Sequence, residues 1–348
     1  MRGLVVLATV WWAWVAYAWL TNSVNADRAP VRLALLVAMS AMLVVSLAVP
    51  HAWSDGALTF AVALVSVRVA HLALFWTTSR TVELRRAVLL LAPGVLVAGA
   101  LVVVGALFGG TTQLVLWCVA LAFDYGAPLL GGGRGWRVSP AHFAERHGLI
   151  VIIALGEAII SLGVGAEGLE LDAGVVAGAA LGLLTAFCLW WLYFDASMAH
   201  AEHKLRSLDG EARNRLARDS YSYLHLPIVA GVVLFALAAK KTLAHVAEPL
   251  HDLGLFALGA GPGLVLLTLS VLRARHVGKH NRFRLPASAM CVAAIAPAAY
   301  HSALAGLACV TGVLGALVVV EVVYTRHVRR RAAAASPMRD DAGFAPRD

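Results

Sequence analysis

The chain has 348 residues, 60% of them hydrophobic and only 14% charged, with a mean hydropathy of +0.79. Soluble domains run nearer to about 45–50% apolar and about 25% charged, so an ordinary soluble globular protein is excluded and an all-α, polytopic transmembrane helix bundle is implied. The net charge of +8 would suggest nucleic acid for a soluble protein, but in a membrane protein it reports first on which loops hold the cations, and no nucleic-acid partner is expected.

A spanning helix takes about 20 apolar residues, which leaves room for roughly ten to twelve passes and no soluble catalytic domain. Apolar runs bounded by charges, Gly or Pro predict eleven spans, at 4–24, 31–49, 57–77, 87–107, 112–130, 142–164, 173–195, 220–239, 250–272, 285–301 and 302–324. They make a transmembrane domain over 1–325, with a first half at 1–130 and a second at 141–325. The longest polar stretch, 196–219, is too short for a core of its own. A basic tail at 326–348, carrying Arg329, Arg330 and Arg331, is expected to be disordered and to lie against anionic lipid.

The loops test this division. Taken alternately, they place 23 of the 28 Lys and Arg residues on one side and three on the other, while Arg68 and Arg146 fall within spans. Basic residues collect in cytoplasmic loops, so the tail and the 196–219 loop are expected in the cytoplasm and Met1 outside the plasma membrane. An external start without a signal peptide is what a missing first helix would produce.

Charges inside apolar runs cost about 2.5–3.5 kcal/mol each at a helix centre on insertion scales, which makes them functional candidates. Glu157 lies deep in the sixth span, and at about 100° per residue it falls within roughly 20° of Arg146. That stripe, which also holds Leu149, Ile153 and Ile160, is expected to face the bundle interior, with Glu157 as a proton-exchanging carboxylate. Glu145, Arg146 and His142 open the same helix, where Asp124 and Asp195 end neighbouring ones on the same side. Arg68 and His71 share one face of the third span, and Arg68 needs an anion, with Glu157, Asp124 and Glu321 as the choices. These residues make up a candidate polar path: Glu157, Arg146, Glu145, His142, Asp124, Asp195, Arg68 and Glu321. His225 and His301 read as structural, and the tryptophans at helix ends, Trp11, Trp12 and Trp190 among them, as interfacial anchors. Cys118, Cys188, Cys291 and Cys309 stand apart as packing residues. His200 with His203, and His276 with His280, have ligand-like spacing but sit in basic loops, and neither reads as a metal site, so neither a metal nor a cofactor is expected.

The segment His142-Phe-Ala-Glu145-Arg146-His147-Gly148 through Gly156-Glu157-Ala-Ile-Ile-Ser161, followed by Leu189-Trp190-Trp191-Leu-Tyr193-Phe194-Asp195, resembles the bacterial low temperature requirement A (LtrA) family. So do Trp11-Trp12-Ala-Trp14 with Thr21-Asn22, and Ala122-Phe-Asp124-Tyr125-Gly-Ala-Pro128. The resemblance covers essentially the whole chain. It implies twelve spans in the complete pattern, the first an acidic helix that has no match here. Trp11-Trp12 with Trp190-Trp191, Phe60-Ala61 with Phe256-Ala257, and Asp124-Tyr125 with Glu321 and Tyr324 recur at spacings of 179, 196 and 197, which points to two parallel six-helix halves.

The leading functional expectation is a secondary transporter or channel-like protein for a small solute or ion, with a buried coupling carboxylate. An integral-membrane enzyme on a lipid-type substrate would need an Asp or His cluster at one face, which Asp124, Glu145, Asp195 and His142 offer thinly. A non-catalytic membrane component needed for growth in the cold is the third reading. No P-loop, GxGxxG, HExxH or GxSxG occurs at a strand-to-helix junction.

Overall fold

The computed structural model describes residues 1–24, 28–79, 81–130 and 135–335, and the side chains of 196 and 328–335 lie outside that description. Long apolar runs in a bilayer must satisfy every backbone N–H and C=O internally, and helices do so within one segment. Among the described residues all regular structure is accordingly helical. It comprises α1 (Arg2–Ser23), α2 (Ala29–Ala48), α3 (Ala57–Thr78), α4 (Val82–Phe108), α5 (Gly110–Leu130), α6 (Pro140–Gly165) and α7 (Ala173–Tyr193), two short helices α8 (Ala199–Arg206) and α9 (Gly210–Ala217), then α10 (His225–Ala244), α11 (Asp252–Val277), α12 (Arg284–Ala293), α13 (Ile295–Tyr300) and α14 (Ala303–Ala335). Ten of the segments are long and apolar enough to cross a membrane.

The predicted span at 285–301 is broken: α12 ends at Ala293, and the six-residue α13 follows Ala294. Pro297, inside the second piece, has no N–H to continue the ladder. The two pieces still traverse the bundle. At one end Arg284 bonds Glu321, and at the other the Ala298 carbonyl accepts from Leu250 N at 2.8 Å.

Contacts between loops sort the ends of the bundle. Asn22 donates to the Arg137 carbonyl, Asn214 to the Trp136 carbonyl, Arg275 pairs with Asp219, and Asn281 donates to Glu321. The loops predicted to be basic therefore meet at one end. At the opposite end Arg2 lies over Trp53, Gln113 donates to the Ala52 carbonyl, and Ala303 N donates to the Glu248 backbone carbonyl.

The 196–219 stretch is not a plain loop. Ala201, Leu205, Leu216 and Ala217 bury against Phe143, Ala144 and Tyr221, so α8 and α9 share a small core with the start of α6. π-helical turns, Phe194–Met198 and Arg218–Tyr223, flank this pair. The tail differs from its expectation as well, since α14 continues through Ala335 and makes the Arg326–Arg331 stretch helical; 336–348 fall outside the described residues.

The second half is the more deeply packed. α10 runs between α6 and α11, and it meets α11 closely at Gly231, where an added Cβ would stand 2.6 Å from the Gly261 carbonyl. Small residues at such crossings let membrane helices approach backbone to backbone, which supplies the dispersion contacts that the hydrophobic effect does not provide within lipid. By contrast α2 turns Leu33, Leu36, Met39, Leu43 and Leu47 outward, as a lipid-facing helix does.

Candidate functional site

Trp12, Val15, Ala16 and Trp19 of α1, Arg68, His71 and Phe75 of α3, Ala87 and Leu90 of α4, and Ala127 and Pro128 of α5 surround a cavity of about 90 Å³. Trp136, Asn214, Arg218 and Ser222 complete it toward the basic end. A single water needs about 10–15 Å³ of such space, so the cavity holds several waters or one small molecule.

The aromatic wall is fixed by hydrogen bonds rather than by packing alone. Trp12 stacks on Tyr125 at 4.0 Å, and the Tyr125 hydroxyl donates to the Ala8 carbonyl at 2.9 Å. Trp11 Nε1 donates to the Ser222 carbonyl at 2.8 Å and Trp19 Nε1 to the Ser222 hydroxyl at 2.9 Å. Both indoles are thereby tied to the π-helical turn before α10. Such turns widen one step of a helix and recur at functional sites.

Arg68 is 6% exposed. Its Nη2 donates to Asp124 Oδ1 at 2.5 Å and its Nη1 to the Trp12 carbonyl at 3.3 Å. Of the three anions open to Arg68 on sequence grounds, Asp124 is the partner. His71, one turn on and on the same face, lies between Tyr17 and Phe75 with ring centroids 5.5 and 5.1 Å away. Neither of its ring nitrogens closes a hydrogen bond of good geometry, although the Ala16 carbonyl faces the ring.

A second buried pair stands apart from the cavity. Arg284, 1% exposed, grips Glu321 through Nε to Oε1 and Nη2 to Oε2, both at 2.8 Å. Its Nη1 reaches Ser197 Oγ at 2.8 Å and its Nη2 the Leu192 carbonyl at 3.2 Å, both beside the first π-helical turn. Sequence reasoning placed Arg284 in a solvated loop and missed it. The available signal was an arginine entering an apolar run at the end of the bundle where Glu321 also lies.

The remaining candidates are not brought together. Glu157 is exposed, with Leu149, Ile153 and Ile160, on the outer surface of α6, which corrects the expectation of an inward stripe. The buried stripe is instead His147, Val151, Leu155, Ala158 and Leu162. In lipid the outward stripe of a helix is as apolar as the inward one, so periodicity does not choose between them; the small residues Ala144, Gly148 and Ala158 permit close packing and turn that side inward. Arg146 donates to the Thr21 hydroxyl and not to Glu157. His142 and Glu145 pair with each other at 3.7 Å while largely exposed, and Asp195 is exposed. The acidic and histidine cluster that a lipid-acting enzyme would need is therefore not assembled among the described residues. Trp11 and Trp12 are 4% and 5% exposed, so they are packed elements of the interior rather than interfacial anchors.

The family model described as Bacterial low temperature requirement A protein (LtrA) matches residues 1–319. The chain belongs to this family. A curated relative, an uncharacterized protein from Rhizobium meliloti (strain 1021), is 28% identical over 351 residues, covering 95% of this chain and 83% of the relative. No solved structure matches. In this LtrA-family chain the motif residues divide between the two sites. Asp124 and Tyr125 serve the cavity, whereas the Tyr193 hydroxyl donates to Nε2 of the buried His225 at 2.8 Å, and His225 Nδ1 in turn donates to the Ser220 carbonyl at 2.8 Å. Leu192 receives Arg284.

Proposed function

We propose that this LtrA-family membrane protein is a secondary transporter or channel-like protein, that its solute occupies the cavity between α1, α3, α4 and α5, and that Asp124 is the coupling carboxylate. The observation that carries this reading is the Arg68–Asp124 pair, 7% and 12% exposed in its side chains, on the wall of an aromatic-lined cavity inside a bundle of apolar helices. A buried pair with a single short contact is a two-state element: separating it exposes two costly charges, and a solute or proton that compensates one of them shifts the balance. Trp136, Asn214 and Arg218 continue the path toward the basic end, where Arg146, Glu145 and His142 lie. The excess of basic residues supports a cytoplasmic position for that end of a chain in the plasma membrane, with anionic lipid against the basic end of α14.

The test is proteoliposomes loaded with a pH-sensitive dye, in which proton movement is followed after a potential is imposed. Wild type is expected to exceed empty liposomes, Asp124→Asn to fall to their level, and Glu157→Gln to match wild type. Equal flux in wild type and Asp124→Asn would remove Asp124 from the mechanism, and wild type equal to empty liposomes would remove proton-coupled transport.

A further inference from the structure

The charges on the cavity wall are already matched. Arg68 has Asp124 and the Trp12 carbonyl, and Arg218 has Asp219 at 2.8 Å and the Pro128 carbonyl at 3.0 Å. Each charged lining residue among those described thus has a carboxylate partner, although Arg218 shares Asp219 with the more exposed Arg275 at the basic end. The lining is otherwise mainly apolar and aromatic, with Trp12, Trp19, Phe75 and Trp136 among its residues. One group is polar, buried and without a closed hydrogen bond: His71, 1% exposed, whose imidazole brings one donor and one acceptor when neutral. Such a group in a dry interior costs about 1–3 kcal/mol, and a cavity beside it is where a partner would sit. Leu90 adds a route, because it is 63% exposed on the outer surface of α4 and also lines the cavity, so the cavity adjoins lipid.

We infer that the cavity binds an uncharged, flat, mainly apolar small molecule carrying a hydrogen-bond donor and acceptor side by side, held by the indole rings and by His71. A rotation of the His71 ring about its Cβ–Cγ bond turns a nitrogen to the ligand. A carboxylate or an ammonium ion is disfavoured because each would enter a low-dielectric space whose cations and anions are already paired. An apolar body that partitions into the bilayer can instead arrive past Leu90. This inference rests on the cavity being the solute site proposed above and adds the chemical class of the solute.

Benzamide has this character, while benzoate and benzylammonium keep its ring and carry a charge. The full chain in nanodiscs is dialysed to equilibrium against radiolabelled benzamide, with empty nanodiscs as the baseline. Saturable binding above that baseline is expected, with benzoate and benzylammonium competing at least roughly tenfold more weakly than unlabelled benzamide. His71→Leu is expected to weaken binding by roughly tenfold, the scale of one lost buried hydrogen bond, and His71→Gln, which keeps a donor and an acceptor, to retain most of it. Binding no greater than in empty nanodiscs, charged competitors as effective as benzamide, or a folded His71→Leu with unchanged binding would each overturn the inference. The charge comparison is made on wild type, so it holds even where the variant fails to fold. Proton flux without benzamide binding would leave the transport reading standing and remove this one; benzamide binding without any flux would do the reverse.

Discussion

The two buried arginines are held in opposite ways. Arg284 is gripped by both oxygens of Glu321 and by Ser197 and the Leu192 carbonyl, and Asn281 adds a further donor to the same carboxylate. Arg68 has one carboxylate oxygen and one long backbone contact, and a cavity at its side. A fork that matches a carboxylate bidentately is geometrically fixed, which makes the first pair a clasp joining α7, α12 and α14. The second pair has room and fewer bonds, so it is the less constrained of the two. Two arginines of similar burial thus differ in the number of their partners, not in their depth.

The largest effect should come from breaking the clasp. Arg284→Met leaves Glu321 buried without its counterion, and removal of one partner of a buried pair costs about 3–5 kcal/mol; the loss is read as a fall in the denaturation midpoint in detergent, together with reduced yield of folded protein. Asp124→Asn keeps an oxygen acceptor for Arg68 and should cost less, about 1–3 kcal/mol, while abolishing flux. A variant as unstable as Arg284→Met would erase the distinction between clasp and switch. Ser197→Ala removes one hydrogen bond to the Arg284 guanidinium and is expected to cost about 1.5 kcal/mol in the same unfolding assay, with flux unchanged in the folded fraction. Glu157→Gln, on the outer face of α6, should shift stability by less than about 0.5 kcal/mol; a loss comparable to that of Arg284→Met would show that Glu157 has a partner in the folded protein.

Much of the architecture was legible in the sequence. Span lengths, helix type and the gathering of basic loops at one end follow from local properties, namely apolar run length and the positions of Lys and Arg. The tenth predicted span was legible as an apolar run but not as a broken helix. For the site, Arg68 with His71 on one face of α3 was legible because three residues along a helix make neighbours. The choice of Asp124 over Glu157 and Glu321 was not, since all three are single acids in apolar helices. The clasp was missed because Arg284 sits where a loop meets a span, a position at which arginine is ordinary.

The sequence by itself therefore determined that this is a polytopic helical membrane protein and which of its ends is basic, because cost in a bilayer depends on each residue's own polarity. Tertiary structure alone decided which face of each helix turns inward and which charges meet. In lipid, the inner and outer faces of a helix are almost equally apolar, so the direction of Glu157, the partner of Arg68 and the burial of Arg284 depend on how closely neighbouring backbones approach.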